Sequence, residues 1–103
     1  MSIRERVGSY LDTEEEYWYI CLFNSLKDAE KLFNWYKERG KPVLLFSVWG
    51  VGRAFLVAAF GTDAEHIQAS YETRVQTEES YAGLLRVEEC FMYHTLIDSA
   101  NIQ

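Results

Sequence analysis

The stretch from Lys41 to Gly61 constrains this fold more than any other part of the chain. It reads KPVLLFSVWGVGRAFLVAAFG, which predicts two strands joined by a glycine turn. Side chains alternate between the two faces of a strand, and here both faces of both strands are apolar. The turn at 50–52 suits a short hairpin loop, because glycine takes a positive φ without steric cost. We therefore expect a hairpin with no solvent-exposed face.

Around this hairpin the chain predicts three helices and two further strands. In chain order they are a short helix over 3–11, a strand over 17–23, a helix from Ser25 to the stop signal Gly40 and Pro42, a helix beginning at the capping box Thr62–Glu65, and a strand over 87–97. Ser25 and Asp28 approximate a second capping box. Residues 78–85 either extend the last helix or form a separate turn. In that helix the spacing predicts a buried stripe of Ala64, Ile67, Tyr71 and Val75.

The element order after the N-terminal helix is β-α-β-β-α-β, which predicts an α+β domain of the ferredoxin-like type. Its four-stranded antiparallel sheet would carry the helices on one face. Right-handed crossovers would place the first and third strands in the centre and the fourth beside the first, so that the strands of Cys21 and Cys90 are neighbours. We expect a single domain over 1–103, with an N-terminal helix and acidic link at 1–16, a core at 17–97 and a polar tail at 98–103.

Two helices on one face would leave the other, apolar face of this sheet open. Soluble monomers rarely expose so large a patch, so the N-terminal helix, a second copy of the chain or another protein must cover it. A homodimer is the leading expectation. The element order over 17–97 resembles the dimeric α+β barrel group, which includes ligand-sensing domains of small transcription regulators and small monooxygenases, haem-dependent or cofactor-free. Where the ligand-sensing members carry an acidic residue after the hairpin glycine, this chain has Arg53.

The composition and charge of the chain limit the kinds of partner that it is expected to bind. The chain has 103 residues, 49% of them apolar and 16% aromatic, which is typical of a folded domain and not of a disordered one. Its net charge is −6 and its pI is about 4.8, which argues against nucleic acid or an anionic membrane as partner. It has neither the apolar region of a signal peptide nor a run long enough to span a membrane. We expect a cytoplasmic protein with two reduced cysteines.

No catalytic motif stands out from this sequence. The only histidines, His66 and His94, lack the further ligands that a metal site needs, so neither a metal nor another cofactor is expected. Glu88 and Glu89 are adjacent on a predicted strand and point to opposite faces, so they are not a catalytic carboxylate pair. An enzyme that uses His94 as a general base beside Glu88 is the least favoured interpretation.

A non-catalytic protein-binding module is the leading functional hypothesis. Small acidic proteins of this profile include immunity proteins, antitoxins and phage-encoded inhibitors, which act by occluding a basic target. Acidic residues would steer the encounter, namely Glu14, Glu15, Glu16, Glu78 and Glu79. Trp35 lies beside the main apolar stripe of its helix, which predicts a partly exposed interface anchor.

The alternative hypothesis is a dimeric regulator that binds a small molecule. The aromatic residues of the strands would line its cavity, namely Trp18, Trp49, Phe55, Phe91 and Tyr93. Arg53, at the start of the third strand, is a candidate ion-pair partner for a glutamate at the interface.

Overall fold

The structure, a computed structural model, describes residues 18–49, 53–75 and 93–100. The N-terminal helix predicted over 3–11, the glycine turn at 50–52 and the undecided segment 78–85 lie outside these ranges. So do residues 87–92 of the predicted last strand.

The described residues form four strands and two helices. They are β1 (Trp18–Phe23), α1 (Leu26–Glu38), β2 (Val43–Trp49), β3 (Arg53–Phe60), α2 (Asp63–Thr73) and β4 (Tyr93–Ala100). All three strand pairings are antiparallel, which confirms the predicted α+β class with its four-stranded antiparallel sheet. β4 continues to Ala100, where a polar tail was predicted, because Ala100 pairs with Val43 and is buried.

The strand order is β1-β3-β2-β4, so the predicted ferredoxin-like order was wrong. β4 pairs with β2 and not with β1. The edge strands of the sheet are therefore β1 and β4, and β2 and β3 lie between them. The physical reason lies in the hairpin: every residue from Val43 to Val48 is buried, and a strand buried on both faces belongs in the interior of a sheet. The strand of Cys21 is therefore not beside β4, and Cys90 lies outside the described ranges.

Each face of the sheet carries its own apolar cluster. The helix-side face comprises Cys21, Phe23, Val43, Leu45, Phe55, Val57, Ala59 and Ala100, which form one core with residues of both helices. The far face comprises Ile20, Leu44, Phe46, Val48, Leu56 and Ala58, with Leu22, Phe60 and Leu96 packed against them. The first six of these far-face side chains are only 0–6% exposed, although both described helices lie on the helix side. The prediction that the hairpin has no open face is confirmed.

Helix α1 packs across β1, β2 and β3 and ends as predicted. Gly40 takes φ 70°, its N–H bonds the Lys37 carbonyl, and the N–H of Lys41 bonds the Tyr36 carbonyl, which is a Schellman motif. At the other end, Ser25 is the N-cap residue but makes no side-chain cap bond, so the capping box predicted with Asp28 is absent. Packing of the buried stripe, and not capping, therefore holds the start of α1.

Helix α2 packs on α1 with a different face from the one predicted. Of the predicted stripe, Ala64, Ile67 and Tyr71 are exposed, whereas Val75, two residues past the helix end, is buried. Within the helix the buried residue is Ala69. The face toward α1 carries small side chains, and two of them, Ser70 and Thr73, donate their hydroxyls to carbonyls one turn earlier in the helix. The packed side of α2 thus combines small side chains with polar groups whose hydrogen bonds are satisfied, and the more apolar stripe lies outside.

Candidate functional site

Three aromatic side chains meet where β1, α1 and α2 come together. Tyr19 of β1 and His66 of α2 stack with their rings 4.2 Å apart and nearly parallel, at 9°. The Nδ1 atom of His66 lies 3.2 Å from the hydroxyl of Tyr36, which comes from α1 and is fully buried. These contacts tie the first turn of α2 to the sheet and to α1, so they set the position of the α2 N-terminus.

The buried groups of this cluster are uncharged at neutral pH. Burial lowers the pKa of His66, and the nearby Asp63 carboxylate opposes that shift only in part. Burial also raises the pKa of the Tyr36 hydroxyl well above its usual value and that of the Cys21 thiol to about 12. A thiol with so high a pKa supplies almost no thiolate, so Cys21 is a core residue and not a nucleophile.

A cavity of about 540 Å³ opens beside this cluster, at the N-terminal end of α2. Its lining is Tyr19, Lys41, Pro42, Phe60, Gly61, Thr62, Asp63 and Glu65. Lys41 and Glu65 form an ion pair, and the hydrogen bond from Lys41 is the largest cause of a lowered pKa at Glu65. The volume falls within the range of small-ligand sites, and the walls combine aromatic rings with charged groups at the mouth.

The capping box predicted at the start of α2 shapes this cavity. The N–H of Glu65 donates to the Thr62 hydroxyl at 3.2 Å, and that hydroxyl donates to the Glu65 carboxylate at 3.1 Å. The cap therefore holds Glu65 beside Lys41, so that these two charged groups are paired with each other.

The outward surface of α2 is the second unusual feature. Ile67 is 68% exposed and Tyr71 is 84% exposed, and they stand one turn apart on the same side of the helix. Ala64 and Gln68 beside them are exposed as well. A helix of this length normally buries its large apolar residues, so this pair forms an apolar contact surface that the described fold does not use. We call Ala64, Ile67 and Tyr71 the α2 stripe.

A clamp between the helices holds the α2 stripe outward. The indole N–H of Trp35 donates to the Glu72 carboxylate at 2.7 Å, and the Arg39 guanidinium lies 3.9 Å from the centre of the Trp35 ring. Arg39 also lies 3.6 Å from that same carboxylate. Trp35 is only 7% exposed, so the predicted partial exposure of this residue was wrong. Its polar atom bonds to α2, which permits burial of the whole ring.

No protein-family model matches the chain, and neither a curated protein nor a solved structure is detectably similar to it. Any function must therefore be argued from the geometry of the chain itself.

The other residues predicted to bind fall into three groups. Phe55 is buried on the helix-side face, where it contributes to the core. The strand register brings the backbones of Trp49, Arg53 and Tyr93 together at one end of the sheet, with His94 opposite Val48, and places Trp18 opposite Phe60 at the other end. The remainder, Glu14, Glu15, Glu16 and Phe91, lie outside the described ranges. The backbone of Trp18 thus lies at the opposite end of the sheet from those of Trp49 and Tyr93, with which it was predicted to line one cavity.

Sequence reasoning did not single out Tyr19, Tyr36 and His66 as a group. They come from three elements, and His66 is 30 residues from Tyr36, so no spacing rule connects them. The one usable signal was the capping box at Thr62, which placed His66 in the first turn of a helix.

In 18–49, 53–75 and 93–100 there is no group of three histidine, cysteine or acidic side chains able to hold a metal ion. No helix in those ranges has the length and apolarity needed to cross a bilayer.

The charge of the chain is unevenly distributed along the sequence. The described ranges hold seven basic and seven acidic residues, whereas the rest of the chain holds three basic and nine acidic ones. The whole net charge of −6 thus comes from the sequence outside those ranges. All five glutamates predicted to steer a partner belong to that remainder.

Proposed function

We propose that this chain is a non-catalytic protein-binding module that acts by covering a surface of a basic protein partner. The observation that supports it is the α2 stripe, with Ile67 and Tyr71 directed into solvent. Tyrosine in particular is enriched among the residues that dominate protein interfaces, because its large ring buries much area at a small entropic cost.

The packing of α2 argues that this exposure is not incidental. The helix turns its small and polar side chains toward α1 and its largest apolar ones outward. A single exposed apolar residue needs no explanation, but two large ones a turn apart on a firmly clamped helix form a ready contact surface. The clamp at Trp35 and Glu72 means that a partner would meet a preformed surface and would lose little binding energy to ordering it.

The charge of the chain supports a basic partner. The basic and acidic residues of the described ranges are equal in number, so the excess negative charge comes from the rest of the sequence. That excess attracts positive charge over a distance of about 10 Å at moderate salt. In this proposal the acidic residues raise the rate of association, and the α2 stripe slows dissociation once contact is made.

A small-molecule-binding regulator is the second candidate, and the cavity at the α2 N-terminus supports it. Phe55, the one residue of the cavity predicted from the sequence whose side chain the structure describes, is not part of this lining. The homodimer and the α+β barrel assembly remain proposals that accompany this candidate.

The test of the module places a photo-crosslinking amino acid at position 71. Benzoylphenylalanine preserves the aromatic character of Tyr71, and the same group at Asn34, exposed on the outward face of α1, is the matched control. We expect crosslinking to a basic protein of the native host from position 71 but not from position 34, and we expect Ile67→Glu to abolish it. Equal capture at both positions, or capture that survives Ile67→Glu, would overturn the proposal.

A further inference from the structure

We propose that the cavity at the α2 N-terminus receives an arginine side chain of the partner, beside the α2 stripe. This inference rests on the proposed function and identifies the chemistry that the partner must present. Three features support it: the walls of the cavity, the charge at its mouth, and its continuity with Ile67 and Tyr71.

The walls suit a long side chain with a flat cationic end. Tyr19, Pro42 and Phe60 supply apolar surface, and two of these three are aromatic. An arginine buries its methylene stem against such surface and can place its planar guanidinium against an aromatic ring. A volume of about 540 Å³ is ample for this group with part of the backbone that carries it.

The charge at the mouth favours a cation over an anion. Of the three charged side chains in the lining, Lys41 and Glu65 are paired with each other, so their charges largely cancel. Asp63 makes no ion pair with any other described residue, and the neighbouring His66 is neutral because burial lowers its pKa. The two carboxylates and one ammonium of the lining therefore leave a net charge of −1, which exceeds the charge of roughly +0.5 at the N-terminal end of the helix dipole.

The cavity and the α2 stripe form one surface. Asp63 and Ile67 are four residues apart and stand on the same side of α2, and Tyr71 follows one turn later. A partner segment lying along α2 can place an arginine in the cavity and apolar side chains against Ile67 and Tyr71. Such a segment is basic at one end and apolar along the rest. Its basic end complements the negative charge of the cavity, and its apolar part complements the exposed side chains of Ile67 and Tyr71.

The test is a titration of the isotope-labelled full chain, followed by NMR, with N-acetyl-arginine methylamide as the probe. The matched control is the citrulline analogue, which has nearly the same shape but no charge. We expect the arginine probe to shift the signals of Tyr19, Gly61 and Asp63, and the citrulline probe to leave them unchanged. Equal shifts with both probes, or shifts confined to other parts of the chain, would overturn the inference.

Two variants locate the binding charge. Asp63→Asn removes the carboxylate from the cavity lining, and Asp28→Asn is its control, because Asp28 also lies in the first turn of a helix but pairs with Lys31 and does not line the cavity. We expect Asp63→Asn to weaken binding of the arginine probe about two- to fivefold, as for a solvent-accessible ion pair, and Asp28→Asn to leave it unchanged. Equal affinity of the wild type and Asp63→Asn would contradict the role of that carboxylate.

The two experiments separate this inference from the proposed function. Crosslinking at position 71 without binding of the arginine probe would leave the module standing and remove the arginine site. Binding of the probe without crosslinking at position 71 would remove the protein partner, and with it this inference, leaving a cavity that binds a small cation.

Discussion

At the scale of single residues, polar contacts between elements decide which aromatic side chains are buried. Trp35 lies off the main stripe of α1, yet its indole N–H reaches Glu72 and its ring is covered by Arg39. His66 is likewise held by a stacking contact with Tyr19 and by the Tyr36 hydroxyl. In both cases a polar atom finds its partner on another element, which removes the main cost of burying an amphipathic ring.

His66 should make the stability of the fold depend on pH. Its pKa in the folded chain lies below the unfolded value of about 6.5, so the unfolded chain takes up the proton first as the pH falls. The free energy of unfolding should be highest above pH 7, fall as the pH drops through about 6.5, and level off below the folded pKa. Urea unfolding followed by Trp fluorescence from pH 7.5 to pH 5 measures this slope.

The control for that slope is the second histidine. His66→Gln should flatten the dependence between pH 7 and pH 5.5, whereas His94→Gln should retain it. A slope that persists in His66→Gln and disappears in His94→Gln would show that the wrong histidine has been assigned.

At the scale of elements, the two helices begin in different ways. α2 has a side-chain cap, because Thr62 accepts the N–H of Glu65, whereas α1 has Ser25 at the same position without a cap bond. α1 buries five side chains and α2 buries one. The helix with less buried surface should therefore depend more on its cap.

Thr62→Ala should cost about 1 kcal/mol of the free energy of unfolding, since it removes the cap hydrogen bond of α2. Ser25→Ala, at the N-cap of α1, should cost clearly less because no cap bond is lost there. Denaturant unfolding of the two variants, fitted with a common slope, measures the difference. Equal costs would mean that the Thr62 bond contributes nothing beyond the residue's conformational preference.

At the scale of the whole molecule, burial of the far face changes the argument for a dimer. The homodimer was predicted because two helices on one side seemed to leave an apolar face open. Leu44, Leu56 and their far-face neighbours are, however, buried within a single chain. An apolar face that is already covered supplies no driving force for self-association.

Light scattering behind size exclusion, over a wide range of concentrations, should therefore give a monomer of 12.0 kDa. A stable particle of twice that mass would contradict this expectation and restore the homodimer predicted from the sequence. A mass that rises with concentration would indicate weak association through a surface other than the far face, and the same measurement on Ile67→Glu would show whether the α2 stripe is that surface.

Features encoded within a few neighbouring residues were predictable from the sequence alone. The two buried strands, the stop of α1 at Gly40 and the cap of α2 at Thr62 all depend on backbone preferences and side-chain alternation that act locally.

Only the tertiary structure decided which edge receives β4, which face of α2 packs, and which residues form the candidate site. Both β1 and β2 offer an unpaired backbone edge once β3 lies between them, and local pattern does not choose between two such edges. The packing of α2 depends on how Ala69 fits into the core that both helices share with the sheet. The spacing of apolar residues along the sequence does not encode that fit. Tyr19, Tyr36 and His66 meet for the same reason: contacts between distant residues depend on the shape and polarity of both partners, and these exist only once the chain has folded.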